Sequence, residues 1–198
     1  MRKPWKIGLA AVAVVFLAAA LLQFVGVKKE PVRYKDSFFD VFDTYSEITV
    51  YAETEAAARA IAEQAHAELL AFHRLYDIYN DYEGLTNLKT VNDLAGTAPV
   101  AVDGRIIGLL TFAKEMARET GGRMNVAMGS VLKLWHDSRE AGLADPENAA
   151  LPDEAALLAA AAHTDIDNLI LDPDASTVYL ADPAMRLDVG AVAKGYAV

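Results

Sequence analysis

The chain has 198 residues, of which 54% are hydrophobic and 23% are charged, and its formal net charge is −10. This acidic balance argues against a nucleic-acid partner, because phosphate binding needs clustered Lys and Arg. The sequence contains no cysteine, which excludes disulfides, thiolate catalysis, Cys-based metal sites and a lipid-modified N-terminal Cys.

Residues 1–6 form a short basic N-terminus that precedes an apolar run from Ile7 to Val27. Gln23 is the only polar side chain of this run, and a bilayer takes about 20 apolar residues, so we expect a single transmembrane anchor over residues 7–27. A cleaved signal peptide is the alternative, because Ala18-Ala19-Ala20 resembles a cleavage site. Basic residues flank both ends of the run, so the positive-inside rule leaves the orientation open.

The next stretch, residues 28–36, is charged, and we expect it to be a linker to one domain over residues 37–198. Alternating apolar and polar residues predict a strand over Ser46–Ala52, and Thr54 is expected to cap the helix that follows. Spacings of three and four predict a core-facing stripe on this helix, formed by Ile61, Ala65, Leu69, Phe72 and Tyr76.

A second helix is predicted with Asp103 as its N-cap and Gly121-Gly122 at its end. Beyond it we expect a short apolar segment at Val131–Trp135 and a surface loop over Glu140–Leu151. Pro152 is then expected to open an Ala-rich helix that ends near Ala162.

Two runs of strand-forming residues, 168–172 and 177–181, flank a Pro-Asp-Ala-Ser turn and predict a hairpin. Another strand is predicted over Met185–Val189, with a helix after Gly190. This order indicates an α+β fold of mixed helices and antiparallel strands rather than a wound parallel sheet. The four histidines lack the spacing of a metal site and are interpreted as structural or surface residues.

The segment from Asp188 to Val198, DVGAVAKGYAV, places a predicted strand before a Gly-containing turn and a helix N-terminus. Free backbone N–H groups at such a terminus attract anions such as phosphate. Lys194 adds a positive charge, and Asp188 offers hydrogen-bond acceptors or a contact for a cation. The same spacing is also typical of an ordinary strand, turn and helix with a surface lysine, so the residues alone leave both interpretations open.

Five sequence blocks, in order, resemble motifs of the ApbE family, the FAD:protein FMN transferases. The last segment is similar to the family's Asp-Leu-Gly-Gly-Ile-Ala-Lys-Gly-Tyr, and GGRMNVAMGSVLKLW is similar to its Gly-Gly-x-Phe-Asp block. FDTYSEITVYA resembles its Met-Gly-Thr start, Asp77-Ile78-Tyr79 its Ser-x-Tyr, and Val91-Asn92 its Leu-Asn. The resemblance covers nearly all of residues 38–198 and implies the flavin transferase fold.

The resemblance implies a Mg²⁺-dependent reaction in which FAD is the substrate. A Thr or Ser hydroxyl of a target flavoprotein attacks the phosphorus of the FMN half, AMP leaves, and FMN stays attached through a phosphoester. It also implies a membrane-anchored, extracytoplasmic body and an extracytoplasmic target. The alternatives are hydrolysis of FAD to FMN and AMP, and a non-catalytic tethered flavin-binding module or inactive fragment.

Motif positions in the resemblance also imply the site residues. The positions that correspond to FAD contacts are Asp188, Lys194, Tyr79, Met124, Asn125 and Phe42. Ala191 corresponds to a backbone carbonyl that binds Mg²⁺, and Tyr79 could stack on the flavin ring. Asp43 replaces the Gly of Met-Gly-Thr, and Asn125 replaces the Asp of Phe-Asp. The remaining Mg²⁺ ligands are expected beyond Val198, and no catalytic residue is assigned.

Overall fold

A computed structural model describes residues 30–198 of the chain. The predicted anchor over residues 7–27 lies outside this range, and within the range no helix is long and apolar enough to cross a membrane. The Cα positions group into two compact units. The described part of the first comprises residues 30–36 and Ile48–Ala62, and the second comprises Ser37–Glu47 and Glu63–Val198.

Three long elements contribute residues to both units. Strands β1 (Val32–Val41) and β2 (Thr44–Ala52) form a two-stranded sheet, and helix α1 spans Glu55–Tyr76. Because only two residues connect the strands, they run antiparallel as a hairpin. The predicted linker over residues 28–36 is wrong from Val32 onward, since β1 begins there.

In the first unit, a small apolar cluster consists of Val50, Ala58 and Ala62, with Tyr34, Ile48 and Ala52 packed against them. The Thr54 hydroxyl accepts a hydrogen bond of 3.2 Å from the Ala57 N–H, which confirms the predicted cap of α1. The predicted stripe is wrong at Ile61, whose side chain is 49% exposed. The small side chains of Ala58 and Ala62 face this cluster instead, so the buried face of α1 is rotated away from Ile61.

The second unit contains five more helices: α2 (Leu88–Asp93), α3 (Gly104–Glu119), α4 (Gly129–Ala144), α5 (Glu154–Ala161) and α6 (Ala193–Ala197). Its sheet has the order β3–β5–β4, formed by Val100–Ala101, Thr177–Leu180 and Leu169–Asp172. Both pairings are antiparallel, and Leu171 lies opposite Val178. The predicted hairpin and the α+β class are therefore confirmed.

Helix α3 has the ends that the sequence predicts. The Asp103 carboxylate accepts a hydrogen bond of 2.8 Å from the Arg105 N–H at the first turn. After Glu119 the chain leaves the helix through Gly121 and Gly122, whose φ angles of 60° and 80° are left-handed. Glycine adopts this conformation without a steric penalty, which is why it commonly ends helices.

Two boundaries and one strand differ from the prediction. The apolar segment Val131–Trp135 belongs to α4, which continues to Ala144 and so removes the first part of the predicted loop. Helix α5 begins at Glu154 rather than Pro152, because the Asp153 carboxylate accepts from the Ala156 N–H at 2.9 Å and acts as the N-cap. The strand predicted over Met185–Val189 is absent apart from a single parallel bridge between Met128 and Arg186.

The core of the second unit joins α1, α2, α3, the three-stranded sheet and the segment before α6. Buried side chains come from α1 (Leu75), α2 (Val91), α3 (Ile106, Leu110), the sheet (Leu169, Val178) and the segment before α6 (Leu187, Val189). Leu187 and Val189 alternate with the half-buried Asp188. Burial of the two apolar neighbours therefore fixes which way this segment faces.

The N-terminus of α4 packs directly on that segment. The Gly129 N–H donates to the Arg186 carbonyl at 3.1 Å. A Cβ at position 129 would lie 2.6 Å from the Arg186 oxygen and 2.8 Å from the Leu187 carbonyl carbon. Both are backbone atoms, so the contact leaves no room for a side chain.

Helices α3 and α4 both begin with glycine, which provides a matched pair of substitutions. Gly129→Ala should lower the free energy of unfolding by about 1–3 kcal/mol, because the new methyl group overlaps backbone. Gly104→Ala meets nothing within 4 Å and should change it by less than about 1 kcal/mol. Urea unfolding checks this, and similar midpoints for the two variants would contradict the packing.

Candidate functional site

A cleft with a volume of about 250 Å³ opens in the second unit. Three stretches of chain form its walls: the β1–β2 turn, the end of α1 with the loop after it, and the segment leading into α6. The lining residues are Phe42, Asp43, His73, Tyr76, Asp77, Ile78, Tyr79, Asp188, Val189, Gly190, Ala193 and Lys194. Three carboxylates and one lysine ammonium therefore share this cleft.

The first wall is the two-residue turn of the hairpin. Phe42 and Asp43 have φ angles of 54° and 49°, the left-handed values that a type I′ turn requires at both positions. Glycine and asparagine usually occupy such positions, and a bulky residue there is an outlier. The Gly of the family's Met-Gly-Thr motif, which Asp43 replaces, suits this backbone. The Phe42 N–H donates to His73 Nδ1 at 3.1 Å, and the two rings meet edge to face at 5.8 Å.

The second wall is organised by Asp77, which is only 8% exposed. Its Oδ1 accepts from the Tyr79 N–H at 2.7 Å and from the Asn80 N–H at 3.1 Å. Its Oδ2 accepts from the Asn80 side-chain amide at 2.9 Å and from the Tyr82 hydroxyl at 2.7 Å. These four hydrogen bonds hold the loop after α1 around the Asp77 carboxylate.

The charge of Asp77 is stabilised by this loop. Burial acts to raise the pKa of Asp77, but the hydrogen bonds from Asn80, Tyr79 and Tyr82 outweigh it and bring the pKa below its usual value of 3.8. Burial and the bond to the Asp77 carboxylate raise the pKa of Tyr82 to about 12. Asp77 is therefore ionised at neutral pH, and its acceptor sites are already in use.

Tyr79 is presented to the cleft by this loop, with its side chain 51% exposed. Its ring stacks on His136 of α4 at a centroid distance of 4.7 Å and an interplanar angle of 26°. Burial first, and then the negative charge of Asp188, raise the pKa of Tyr79. The tyrosine is thus a neutral aromatic surface held in place on one face by a second ring.

A second cavity of about 160 Å³ adjoins the cleft, and Ile78, Tyr79 and Asp188 line both. It also contains two basic side chains that already have acidic partners. Lys133 lies 2.6 Å from Asp137, and Arg186 lies 3.4 Å from Asp93.

The third wall is placed by side-chain contacts to its backbone. The Asn92 amide donates to the Leu187 carbonyl at 3.0 Å, and the Leu187 N–H donates to the Asn92 Oδ1 at 2.7 Å. The Asp188 N–H donates to the Val126 carbonyl at 2.8 Å. The Asp188 Oδ1 accepts from the Gly190 N–H at 2.9 Å, which closes a tight turn before α6. Asp188 is therefore fixed at both its main chain and its side chain.

Four of the seven residues predicted for the site, Phe42, Tyr79, Asp188 and Lys194, line the cleft together. Ala191 is exposed in the turn before α6 and does not line it.

Met124 and Asn125 also lie outside the cleft. The Asn125 amide donates to the Thr164 carbonyl at 2.8 Å, and its oxygen accepts from the Ala127 N–H at 2.9 Å. Met124 packs against the core of the second unit. Asn125 therefore ties the loop before α4 to the chain near Thr164, and the FAD contacts of Met124 and Asn125 stay predictions.

His73, Asp77 and His136 are site residues that sequence reasoning did not select. His73 lines the cleft, and His136 supports Tyr79, although both were interpreted as structural or surface residues. Asp77 occupies the first position of the Ser-x-Tyr-like block, which is a usable signal for its place beside Tyr79. No sequence spacing links His73 to Phe42, because that contact depends on how the hairpin meets α1.

The cleft offers little to a metal ion by itself. Among residues 30–198, no three His, Asp or Glu side chains are close enough to hold one. Asp188 contributes a single carboxylate, whereas Mg²⁺ prefers six oxygen ligands in octahedral geometry. A Mg²⁺ ion bound at Asp188 would therefore need oxygen ligands in addition to this carboxylate.

Comparison with known sequences agrees with the motif pattern. The sequence profile of the ApbE family matches residues 42–198. The chain belongs to the ApbE family.

Two ApbE relatives carry the name FAD:protein FMN transferase. The chain is 33% identical over 162 residues to the one from Treponema pallidum, which covers 79% of this chain and 42% of that protein. It is 32% identical over 139 residues to the one from Klebsiella pneumoniae, covering 67% of this chain and 42% of that protein. The chain thus spans less than half the length of these relatives.

Solved ApbE structures have the same fold over most of the chain. The ApbE protein of Thermotoga maritima matches with a TM-score of 0.69 at 24% identity, over 84% of this chain and 50% of that one. The flavin transferase ApbE of Vibrio cholerae matches with a TM-score of 0.67 at 19% identity, over 85% and 51%. The predicted ApbE-like α+β fold is therefore confirmed for the described residues.

The Asp77 network predicts a pH-dependent loss of stability on substitution. Asp77→Asn replaces one acceptor oxygen by a donor and should lower the free energy of unfolding by about 1–3 kcal/mol at neutral pH. Because the folded pKa is lowered, the carboxylate stabilises the fold above the usual value of 3.8 and loses this effect as the pH falls through the folded pKa.

Urea unfolding at a series of pH values measures the difference between the two proteins. It should be constant near neutrality and shrink in acid. Asp81→Asn is the control, because the Asp81 side chain is 76% exposed. A difference for Asp77→Asn that does not change with pH would contradict the assignment.

Proposed function

We propose that this chain forms part of an FAD:protein FMN transferase, which moves the FMN moiety of FAD onto a Thr or Ser hydroxyl of a target flavoprotein and releases AMP. One observation carries the proposal. Phe42, Tyr79, Asp188 and Lys194 come from three distant parts of the sequence, each from a block that resembles a family motif, and they line one cleft.

The side chains of the cleft suit the two ends of a flavin nucleotide. Tyr79 offers a half-exposed ring on which an isoalloxazine can stack. Lys194 and Asp188 lie on the third wall of the same cleft, where the ammonium attracts phosphate and the carboxylate accepts hydrogen bonds or contacts a cation. Asp77 is not proposed as a base, since four hydrogen bonds already occupy its oxygens.

The proposed transfer is balanced without a redox partner. The acceptor oxygen forms a bond to the phosphorus of the FMN half, the bond from that phosphorus to the AMP oxygen breaks, and the hydroxyl proton leaves to solvent. The protein's part is to hold the flavin and its phosphates in position. Mg²⁺ belongs to the proposal as a counter-charge for the phosphates, and it would need ligands in addition to Asp188 and the Ala191 carbonyl.

The full-length protein tests this proposal with FAD, Mg²⁺ and a candidate acceptor flavoprotein. We expect flavin fluorescence on the acceptor after denaturing electrophoresis, an equal amount of AMP, and loss of both with a chelator. AMP formed at the same rate without an acceptor would identify a hydrolase instead. If neither the flavin-labelled acceptor nor AMP forms, the proposal that the protein is an enzyme is wrong.

Asp188→Asn refines this test, because it keeps the Oδ1 acceptor for Gly190 but removes the charge. It should reduce transfer by about tenfold or more, as expected for loss of a charged interaction. Asp174→Asn is the control, since it removes the same charge from the exposed β4–β5 turn.

We also propose that the protein is tethered to the membrane through Ile7–Val27 with its body outside the cytoplasm. The support is the length of that uncharged run together with the family resemblance. Deleting residues 1–29 should move the protein from the membrane fraction to the soluble fraction after alkaline extraction. A mature protein whose N-terminus follows Ala18-Ala19-Ala20 would instead establish a cleaved signal peptide.

A further inference from the structure

His73 occupies the last turn of α1 and is half-buried between the hairpin turn and the cleft. Its Nδ1 accepts the Phe42 N–H at 3.1 Å, across 31 positions of the sequence. Its ring meets the edge or face of the Phe42 ring at 5.8 Å with an interplanar angle of 87°. Two independent contacts therefore join this histidine to one residue of the turn.

The hydrogen bond gives the His73 ring the role of an acceptor. A backbone N–H can only donate, so Nδ1 must carry its lone pair. In this contact Nδ1 is the acceptor, and Nε2 is the ring nitrogen left to donate. A residue that supplies an acceptor at the position of Nδ1 can replace this function, and an apolar residue cannot.

The N–H group in this hydrogen bond belongs to Phe42, whose backbone conformation is energetically unfavourable. Phe42 has a φ of 54°, and left-handed conformations are rare for bulky residues and persist only where neighbouring groups enforce them. The next residue, Asp43, also has a left-handed backbone, with a φ of 49°. Without the contact to His73, the turn is expected to relax and both side chains to leave the cleft wall.

We propose that His73 is a positioning residue for flavin binding: its Nδ1 accepts the Phe42 N–H and so holds the left-handed Phe42–Asp43 turn against the cleft. This inference rests on the proposed function for its flavin role. It assigns no bond-making step to His73, which acts through the turn.

The same helix supplies a matched control seven residues earlier. His66 also reaches β1, where its Nε2 lies 2.8 Å from the Asp40 carboxylate and its ring stacks on Phe38 at 4.0 Å. It does not line the cleft. His66→Leu therefore removes a comparable histidine contact without touching the turn.

Two measurements on the full chain test the proposal. The first is the Kd for FAD from flavin fluorescence, and the second is the hydrogen-exchange rate of the Phe42 amide. His73→Leu should weaken FAD binding by about fivefold or more, the effect of losing one neutral hydrogen bond, and should speed exchange at Phe42. His73→Asn, which keeps an acceptor near the Nδ1 position, should restore both, and His66→Leu should change neither.

A second-site variant guards against a folding defect in His73→Leu. Adding Asp43→Gly places a residue that tolerates positive φ in the turn and should recover part of the lost FAD affinity. The role proposed for His73 would be overturned, with the proposed function unaffected, if His73→Leu bound FAD as tightly as the unsubstituted chain. It would also be overturned if His73→Asn behaved like His73→Leu. No FAD binding by the unsubstituted chain would overturn the proposed function, and exchange at Phe42 would then still report on the hydrogen bond.

Discussion

The pair of hydrogen bonds between the Asn92 amide and the Leu187 backbone is the constraint on which the cleft depends. It joins residues 95 positions apart, and Asn92 is only 4% exposed. An amide side chain offers one donor and one acceptor side by side, so it pairs with a peptide unit as a neighbouring strand would. In a dry interior such a pair is hard to replace, because losing either partner leaves a polar group buried and unsatisfied. Asp188 is the next residue in the chain, so these two hydrogen bonds to Leu187 also determine where Asp188 lies in the cleft.

The other two walls are also held by hydrogen bonds between a side chain and the backbone. Irregular backbone at Phe42 is held by a ring nitrogen, and the loop at Tyr79 is held by the Asp77 carboxylate. In each case a side chain, His73 in the last turn of α1 or Asp77 directly after it, accepts hydrogen bonds from main-chain N–H groups that have no partner in a helix or strand. Loops can then carry functional side chains without losing their hydrogen bonds, which buried backbone requires.

These hydrogen bonds between side chains and the backbone also explain which features the sequence could predict. Periodicity and caps predicted most helices, the β4–β5 hairpin and the α+β class, because these depend on local patterns. The alternation at Met185–Val189 predicted a strand, and alternate residues there are indeed buried, but Asn92 and Gly129 stand where a partner strand would be. The prediction failed at Ile61, which is exposed, because the buried face of α1 is centred on Ala58 and Ala62 there.

Motif resemblance selected Phe42, Tyr79, Asp188 and Lys194 as site residues. The structure adds that these four residues line one cleft. Motif resemblance also selected Asn125, whose side chain is engaged with Thr164. Resemblance reports which positions recur in a family, and it cannot report which side chains turn inward here. His73 and Asp77 act through long-range or loop contacts with no periodic signature, so only coordinates could reveal them.

The separation of Asn92 from Leu187 has a consequence for how the protein is made. A contact across 95 positions closes a long loop, and such contacts form late because the chain loses much entropy before gaining the bond. During synthesis the hairpin turn and the Tyr79 loop leave the ribosome well before residue 187 does. Two walls of the cleft are thus expected to stand open on the nascent chain, and the Asp188 wall to dock last.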